Sequence, residues 1–220
     1  MKDREVITNN ISNSISVKNN ILSDESMINQ IIDIANLIQN SFENKCKLLL
    51  CGNGGSAADA QHLAAEFSGR YYIDRDPLHA EALHTDTSFM TAVANDYSFD
   101  NVYSRLVKGI GKKGDVLIGL STSGNSQNIV NALKKAKALG LTTIGFTSEN
   151  GGGINQYCDV LIKVPSSDTP RIQEAHLMIG HAICELVEKK LFSLRQPLYL
   201  LLEYLLACLL ACSPMLKYLI

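Results

Sequence analysis

The stretch Leu48–Arg70, LLLCGNGGSAADAQHLAAEFSGR, decides how this chain is read. It opens with an apolar run too short for a helix, breaks at Gly52-Asn53-Gly54-Gly55-Ser56, and resumes as an alanine-rich segment of high helix propensity. Strand, tight turn and helix therefore follow one another. Glycines permit positive φ and a close approach of ligand to backbone, and the N–H groups that open the helix after Ser56 favour an anion, typically a phosphate. His62 and Glu66 stand four residues apart on that helix and project from one face. Alone, these signals are weak. The turn lacks the third glycine of G-x-G-x-x-G and the lysine of a P-loop, and a His and a Glu at this spacing are most often a solvated helix face.

At 220 residues the chain is long enough for one sizeable domain, and 46% hydrophobic with 19% charged content is ordinary for a soluble protein. A net charge of −2 supplies neither the basic footprint that nucleic acid demands nor a polybasic patch for an anionic membrane, so a small ligand is the expected partner. The opening MKDREVITNNISNSIS is polar and lacks the apolar stretch of a secretory signal, which points to the cytoplasm. Cys46, Cys51, Cys158, Cys184, Cys208 and Cys212 form no C-x-x-C pair, several lie in apolar runs, and all read as free thiols rather than ligands.

Outward from the central stretch, Met27, Ile31, Ile34, Ile38 and Phe42 predict an amphipathic helix from Ser23 to Phe42, capped by Ser23 or Asp24. Ile11, Ile15 and Leu22 suggest a weaker helix before it, whose stripe rests either on the core or on another subunit. Downstream, His79–His84 reads as a short strand, Thr85–Ala94 as a helix ending at Asn95-Asp96, and Phe99–Ile110 as a helix closed by Gly109 and Gly111. Asp115–Leu120 is a buried strand that empties into Ser121-Thr122-Ser123-Gly124-Asn125-Ser126, a second strand-loop-helix junction. Helix Asn128–Leu139, strand Leu141–Phe146, a flexible Gly151-Gly152-Gly153 loop, strand Asp159–Val164 and helix Ile172–Leu191 follow, with Pro170 at a first-turn position. Five strands alternating with helices imply a parallel sheet covered on both faces. Ligands bind such sheets beyond the carboxyl ends of the strands, where both the Gly52–Ser56 turn and the Ser121–Ser126 loop lie. That second loop presents four hydroxyls and no basic residue, so a phosphate there would be held by neutral hydrogen bonds and a helix N-terminus. A merely solvated Ser/Thr turn is its structural alternative.

CGNGGSAADAQH-x3-E, AxAND, STSGNS and RIQEAH-x4-H, in this order and spacing, resemble the sugar isomerase (SIS) domain and, within it, the phosphoheptose isomerases. The likeness runs from Ile21 to Phe192. It implies a flavodoxin-like three-layer α/β/α sandwich with a five-stranded parallel sheet, assembled as a homotetramer with active sites at subunit interfaces. It also implies conversion of sedoheptulose 7-phosphate into D-glycero-D-manno-heptose 7-phosphate for bacterial surface polysaccharides. Carried over position by position, the substrate contacts fall on Asn53, Gly54, Gly55, Ser56, Glu66, Asn95, Asp96, Ser121, Thr122, Ser123, Ser126 and Gln173. The ligands of one zinc per subunit fall on His62, Glu66, Gln173 and His181, and the catalytic pair on Glu66 as base and His181 as acid. Gln173 and His181 are eight residues apart, roughly 12 Å of rise if one helix holds both. A shared site then requires that Gln173 reach along the axis from the opening turn, or that ligands come from different subunits. Some SIS relatives instead bind the bacterial replication initiator or sense sugar phosphates; the initiator-binding ones lack the Glu and the final His, both present here as Glu66 and His181. His79, His84 and His176 read as structural.

The resemblance stops at Phe192, which sets residues 1–192 as a single SIS domain with N-terminal helices and 193–220 as an atypical leucine-rich tail. A helix between Pro197 and Pro214 would be roughly 24 Å long, short of a hydrocarbon core of roughly 30 Å, and it carries Glu203, so no membrane span is expected. The tail is read as a helix buried at an oligomer interface, as an interfacial anchor, or as sequence altered downstream of an ancestral stop.

Overall fold

The computed structural model describes residues 2–192. The short apolar runs become β1 (Leu48–Cys51), β2 (Ala80–Ala82), β3 (Val116–Leu120), β4 (Thr142–Ser148) and β5 (Val160–Val164). Every ladder is parallel, in the order β2-β1-β3-β4-β5. Alternation across the pleat sends Leu48, Leu50, Val116, Ile118 and Leu120 to one side of the sheet and Leu49, Cys51 and Leu117 to the other. On the first side lie the end of α1 (Asp3–Leu22), α2 (Glu25–Glu43), α3 (Gly55–Ser68) and α7 (Thr169–Phe192); on the second lie α4 (Thr87–Asp96), α5 (Val102–Ile110) and α6 (Gln127–Ala138). Both faces being covered, the central strands β1 and β3 read as unbroken buried runs, whereas Glu81 in β2 and Lys163 in β5 are exposed breaks in the two edge strands. This is the expected three-layer α/β/α sandwich with the flavodoxin-like strand order. The order reverses between β1 and β3, so the loops after these two strands open on a common crevice.

The elements depart from their predicted bounds for local reasons. α3 starts at Gly55, one residue before Ser56, because Gly54 takes φ +55° and turns the chain early. Asp24, not Ser23, caps α2, accepting the Met27 N–H at 3.0 Å. Phe99–Asn101 is a 3-10 turn ahead of α5, and β2 is confined to three residues. α1 is longer than its sparse periodicity suggested. It buries only Val17 and Ile21, while Ile11 (55% exposed), Ile15 (53%) and Leu22 (72%) face away from this chain's core. The described cysteines, Cys46, Cys51, Cys158 and Cys184, are free thiols. Among the described residues, no helix is long and apolar enough to cross a membrane. The readings of the 193–220 tail, Cys208 and Cys212 included, lie outside the described residues.

His176 of α7 is fully buried and faces β4. Its ring meets Phe146 edge-on at 5.5 Å and its Nε2 lies 3.3 Å from the Thr147 carbonyl oxygen. Burial drives its pKa from the ordinary 6.5 down to about 4, against the upward pull of that carbonyl. The folded imidazole stays neutral while the unfolded one protonates, so between pH 6.5 and 4 the unfolded chain binds more protons and stability falls as pH falls. The full loss is on the order of 3 kcal/mol. The melting temperature of the parent should therefore drop on acidification through this window, and His176→Phe should flatten that limb. Equal slopes in the two proteins would show that His176 is not the titrating group.

Candidate active site and metal centre

β1 ends against a turn that backbone contacts force to be glycine. A Cβ on Gly52 would lie 2.3 Å from the Ser56 carbonyl oxygen, and the Tyr103 hydroxyl donates to the Gly52 carbonyl at 2.6 Å. The next residue, Asn53, exchanges amide hydrogen bonds with buried Asn128 of α6, both 2.9 Å, so the turn after β1 is tied across the crevice to the helix after β3. Ser126 precedes α6 and makes no side-chain cap bond; its hydroxyl instead accepts from Ser121 at 3.2 Å. The Ser123 hydroxyl accepts the Asn125 N–H at 3.1 Å.

The Gly151-Gly152-Gly153 segment, predicted as a flexible loop, packs backbone to backbone on this hydroxyl loop. Gly124 takes φ +67°, and a Cβ there would meet the Gly151 carbonyl oxygen at 2.1 Å. The Ile154 N–H donates to the Gly124 carbonyl at 3.0 Å and the Gly153 N–H to Asn125 Oδ1 at 2.8 Å. Glycines here permit contact between loops. A cavity of about 330 Å³ opens beside them, lined by Thr122, Ser123, Asn125, Ser148, Ser167 and Thr169 among others, with no charged side chain among its lining residues. Donors and helix-end amides without a counter-charge suit a small anion held by neutral hydrogen bonds.

α3 and α7 run side by side on the first face of the sheet. Gly180 gives Leu63 its place, since a Cβ there would be 2.5 Å from the Leu63 methyls. That close approach brings His62 and Glu66 of α3 to His181 of α7. His62 Nε2 lies 3.0 Å from Glu66 Oε1 and 3.2 Å from His181 Nε2, and one ligand atom of each residue falls within 4.8 Å of the others. A four-coordinate cation with bonds of about 2.0–2.1 Å holds its ligand atoms about 3.3 Å apart, so the two short separations match its edges. Asp59, one turn before His62, keeps a buried Oδ2 with no hydrogen-bond partner, and burial raises its pKa while His62 opposes the rise. The two imidazoles and the Glu66 carboxylate form a set that can hold a metal ion.

The remaining candidates are distributed unevenly. Gln173 does sit near the opening of α7, but its amide lies against the turn: a Cβ on Gly55 would be 2.5 Å from Gln173 Nε2. Gly55 precedes His62 by seven residues, so Gln173 stands roughly 10 Å along the helices from the three-residue cluster. Asn95 and Asp96 end α4, exposed and hydrogen-bonded to each other at 2.9 Å. Sequence reading missed Asn128, Asp59, and the buried pair Arg75–Glu188 described below. Only Asn128 had a local signal, its place at the start of the helix after STSGNS.

Residues 14–148 match the SIS domain family. The phosphoheptose isomerase of Clostridium acetobutylicum is 54% identical over 182 residues, spanning 83% of this chain and 93% of its own length. Among solved structures, the phosphoheptose isomerase of Neisseria gonorrhoeae superposes with a TM-score of 0.80 at 41% identity, and that of Francisella tularensis with 0.82 at 31%. Each covers 86% of this chain and 100% of the solved one.

Proposed function

Since the chain belongs to the SIS domain family, as one of its phosphoheptose isomerases, we propose that it converts D-sedoheptulose 7-phosphate into D-glycero-D-manno-heptose 7-phosphate through an enediol. The isomerase acts on a sugar phosphate in heptose biosynthesis. The observation that carries the finer reading is the convergence of His62, Glu66 and His181 from two helices that both begin at the sheet's carboxyl edge. Glu66 takes a proton from C1 of the open-chain ketose while His181 supplies one to the C2 oxygen, giving the enediol. His181 then receives the C1 hydroxyl proton and Glu66 returns its proton to C2, which leaves the aldose. Ser121, Thr122, Ser123 and Ser126 hold the phosphate far from the reacting carbons, and Gly54, Gly55 and Ser56 with Asn95 and Asp96 complete the substrate contacts. Remote binding of this kind orients the carbons for reaction.

His62, Glu66 and His181 would hold zinc, with Gln173 as fourth ligand. When bound, the ion polarises the substrate carbonyl as a Lewis acid. The roughly 10 Å between Gln173 and the cluster within one chain supports ligands drawn from different subunits. So does the exposed stripe of Ile7, Ile11 and Ile15 on α1, which suits the proposed homotetramer with active sites at its interfaces.

Protein purified without chelator should contain close to one metal per chain by elemental analysis. It should turn over sedoheptulose 7-phosphate in preference to shorter phosphosugars, lose that turnover on chelation, and regain it with zinc. Turnover that survives complete metal removal would discard the metal; absence of turnover on any phosphosugar would return the chain to the binding or sensing relatives.

A further inference from the structure

Glu188 and Arg75 form a buried ion pair that the chemistry above does not use. Both side chains are 2% exposed, and Arg75 Nε donates to Glu188 Oε1 at 2.9 Å. The same carboxylate accepts three consecutive backbone N–H groups: Tyr71 at 3.1 Å on Oε1, Tyr72 at 2.7 Å and Ile73 at 2.9 Å on Oε2. The other end of the guanidinium caps α3, with Nη2 donating to the Glu66 carbonyl at 2.9 Å and Nη1 to the Phe67 carbonyl at 2.9 Å. Burial acts to raise the Glu188 carboxyl, but the N–H groups of Ile73, Tyr72 and Tyr71 together with Arg75 prevail and hold it below the usual glutamate range.

The elements joined by this pair are those that carry the reacting groups. Glu188 follows His181 by seven residues, two turns along the same face of α7. Its grip on the Tyr71 N–H sets the start of the irregular segment after α3, and the Tyr71 ring lies against the His181 imidazole, 5.9 Å between centroids and 29° between planes. His181 also meets His62 edge-on at 4.9 Å. The imidazole thus contacts both a proposed ligand and a tyrosine ring. The backbone of Glu66 and the backbone of Tyr71 are fixed by one charge pair.

We propose that Tyr71 is a positioning residue for His181, and that the Arg75–Glu188 clasp holds it in place by fixing the 71–73 backbone to α7. The proposal rests on the isomerase reading for its kinetic consequence, though not for its structural one. A wall on one side of His181 limits rotation of the ring and keeps Nε2 aimed at His62 and Glu66. Loss of such an outer contact typically costs about 10- to 100-fold in function.

The test uses the full chain with 13C-labelled histidine, whose five residues give five ring signals, the His181 signal being assigned by its loss in His181→Gln. Tyr71→Leu should lower kcat about 10- to 100-fold with KM little changed, and shift the His181 ring signal in both metal-free and metal-loaded protein. Tyr71→Phe keeps the ring and should retain both parent values. Glu188→Gln leaves the contact residues intact yet should reproduce the His181 shift and the kcat loss, together with a lower melting temperature. A His181 signal unmoved in Tyr71→Leu would overturn the positioning role. A Glu188→Gln protein that melts lower while its His181 signal and kcat stay at parent values would reduce the clasp to a structural ion pair. If the parent shows no isomerase activity, the NMR arm still decides the clasp, so failure of the function and failure of the inference remain distinct.

Discussion

Glu66→Gln will slow isomerisation by about 100- to 10,000-fold, the range for losing a positioned base, while leaving the fold in place. Glu66 is the carboxylate of the three-residue cluster and stands on α3 with its side chain 23% exposed, so substrate can reach it without the helix moving. The amide keeps the size of the side chain and an oxygen that can still accept from His62, but it has no useful basicity toward a carbon-bound proton. Turnover alone would not separate a lost base from a lost metal ligand, because the same oxygen lies 3.0 Å from His62 Nε2. Metal content is therefore measured on each variant, and exchange of the substrate's C1 proton is followed in deuterated water. Glu66→Gln should abolish that exchange even in protein loaded to parent metal content. His181→Gln should depress net isomerisation more than exchange, since the proposed mechanism gives it the protons on oxygen. Exchange at the parent rate in Glu66→Gln would move the base elsewhere, with Asp59 the next carboxylate to examine.

The sequence made the sheet legible because its central strands are short buried apolar runs, β1 cut off by Gly52 and β3 by the hydroxyl-rich 121–126 loop, with Pro165 ending β5. His62 and Glu66 were legible as a pair because four residues on a helix is a local relation. The features that escaped are long-range. Asn53 and Asn128 are 75 residues apart, and Arg75 and Glu188 are 113 apart, so no periodicity connects them. Gln173 is long-range in the same sense: within one chain its amide lies against Gly55, a contact between residues far apart in sequence. α1 misled in length because an exposed helix has little burial pattern to mark its ends. The glycine run at 151–153 looked flexible since composition records only the freedom of a glycine in isolation. What it records poorly is that a missing Cβ also lets two backbones touch.

That contact gives the second large effect. Gly124→Ala faces two separate costs. Its φ of +67° lies in the left-handed region, which an L-residue with a Cβ enters at about 1–2 kcal/mol. In addition, the new methyl would stand 2.1 Å from the Gly151 carbonyl oxygen and 2.8 Å from Thr147 Oγ1. The first of these is backbone, so relief requires that the 121–126 and 150–154 loops separate, breaking the Ile154 N–H to Gly124 carbonyl bond of 3.0 Å. Together the expected loss is about 3 kcal/mol or more, a fall in melting temperature of roughly 6–12 °C for a domain of this size. Separation of the loops also opens the hydroxyl cradle, and weaker remote binding shows as a raised KM before it shows in kcat. KM for the sugar phosphate should rise by about tenfold or more, corresponding to about 1.4 kcal/mol of binding, with inhibition by inorganic phosphate weakened in parallel. Gly153→Ala is the internal control: its Cβ would have only ordinary contacts, 3.4 Å to Asn125 Oδ1 and 3.7 Å to Val130 Cγ2, so it should melt and bind close to the parent. If Gly124→Ala destabilises the protein but leaves phosphate inhibition unchanged, the loop packing is real and the phosphate lies elsewhere. If it melts with the parent, the close packing of the two loops is itself wrong.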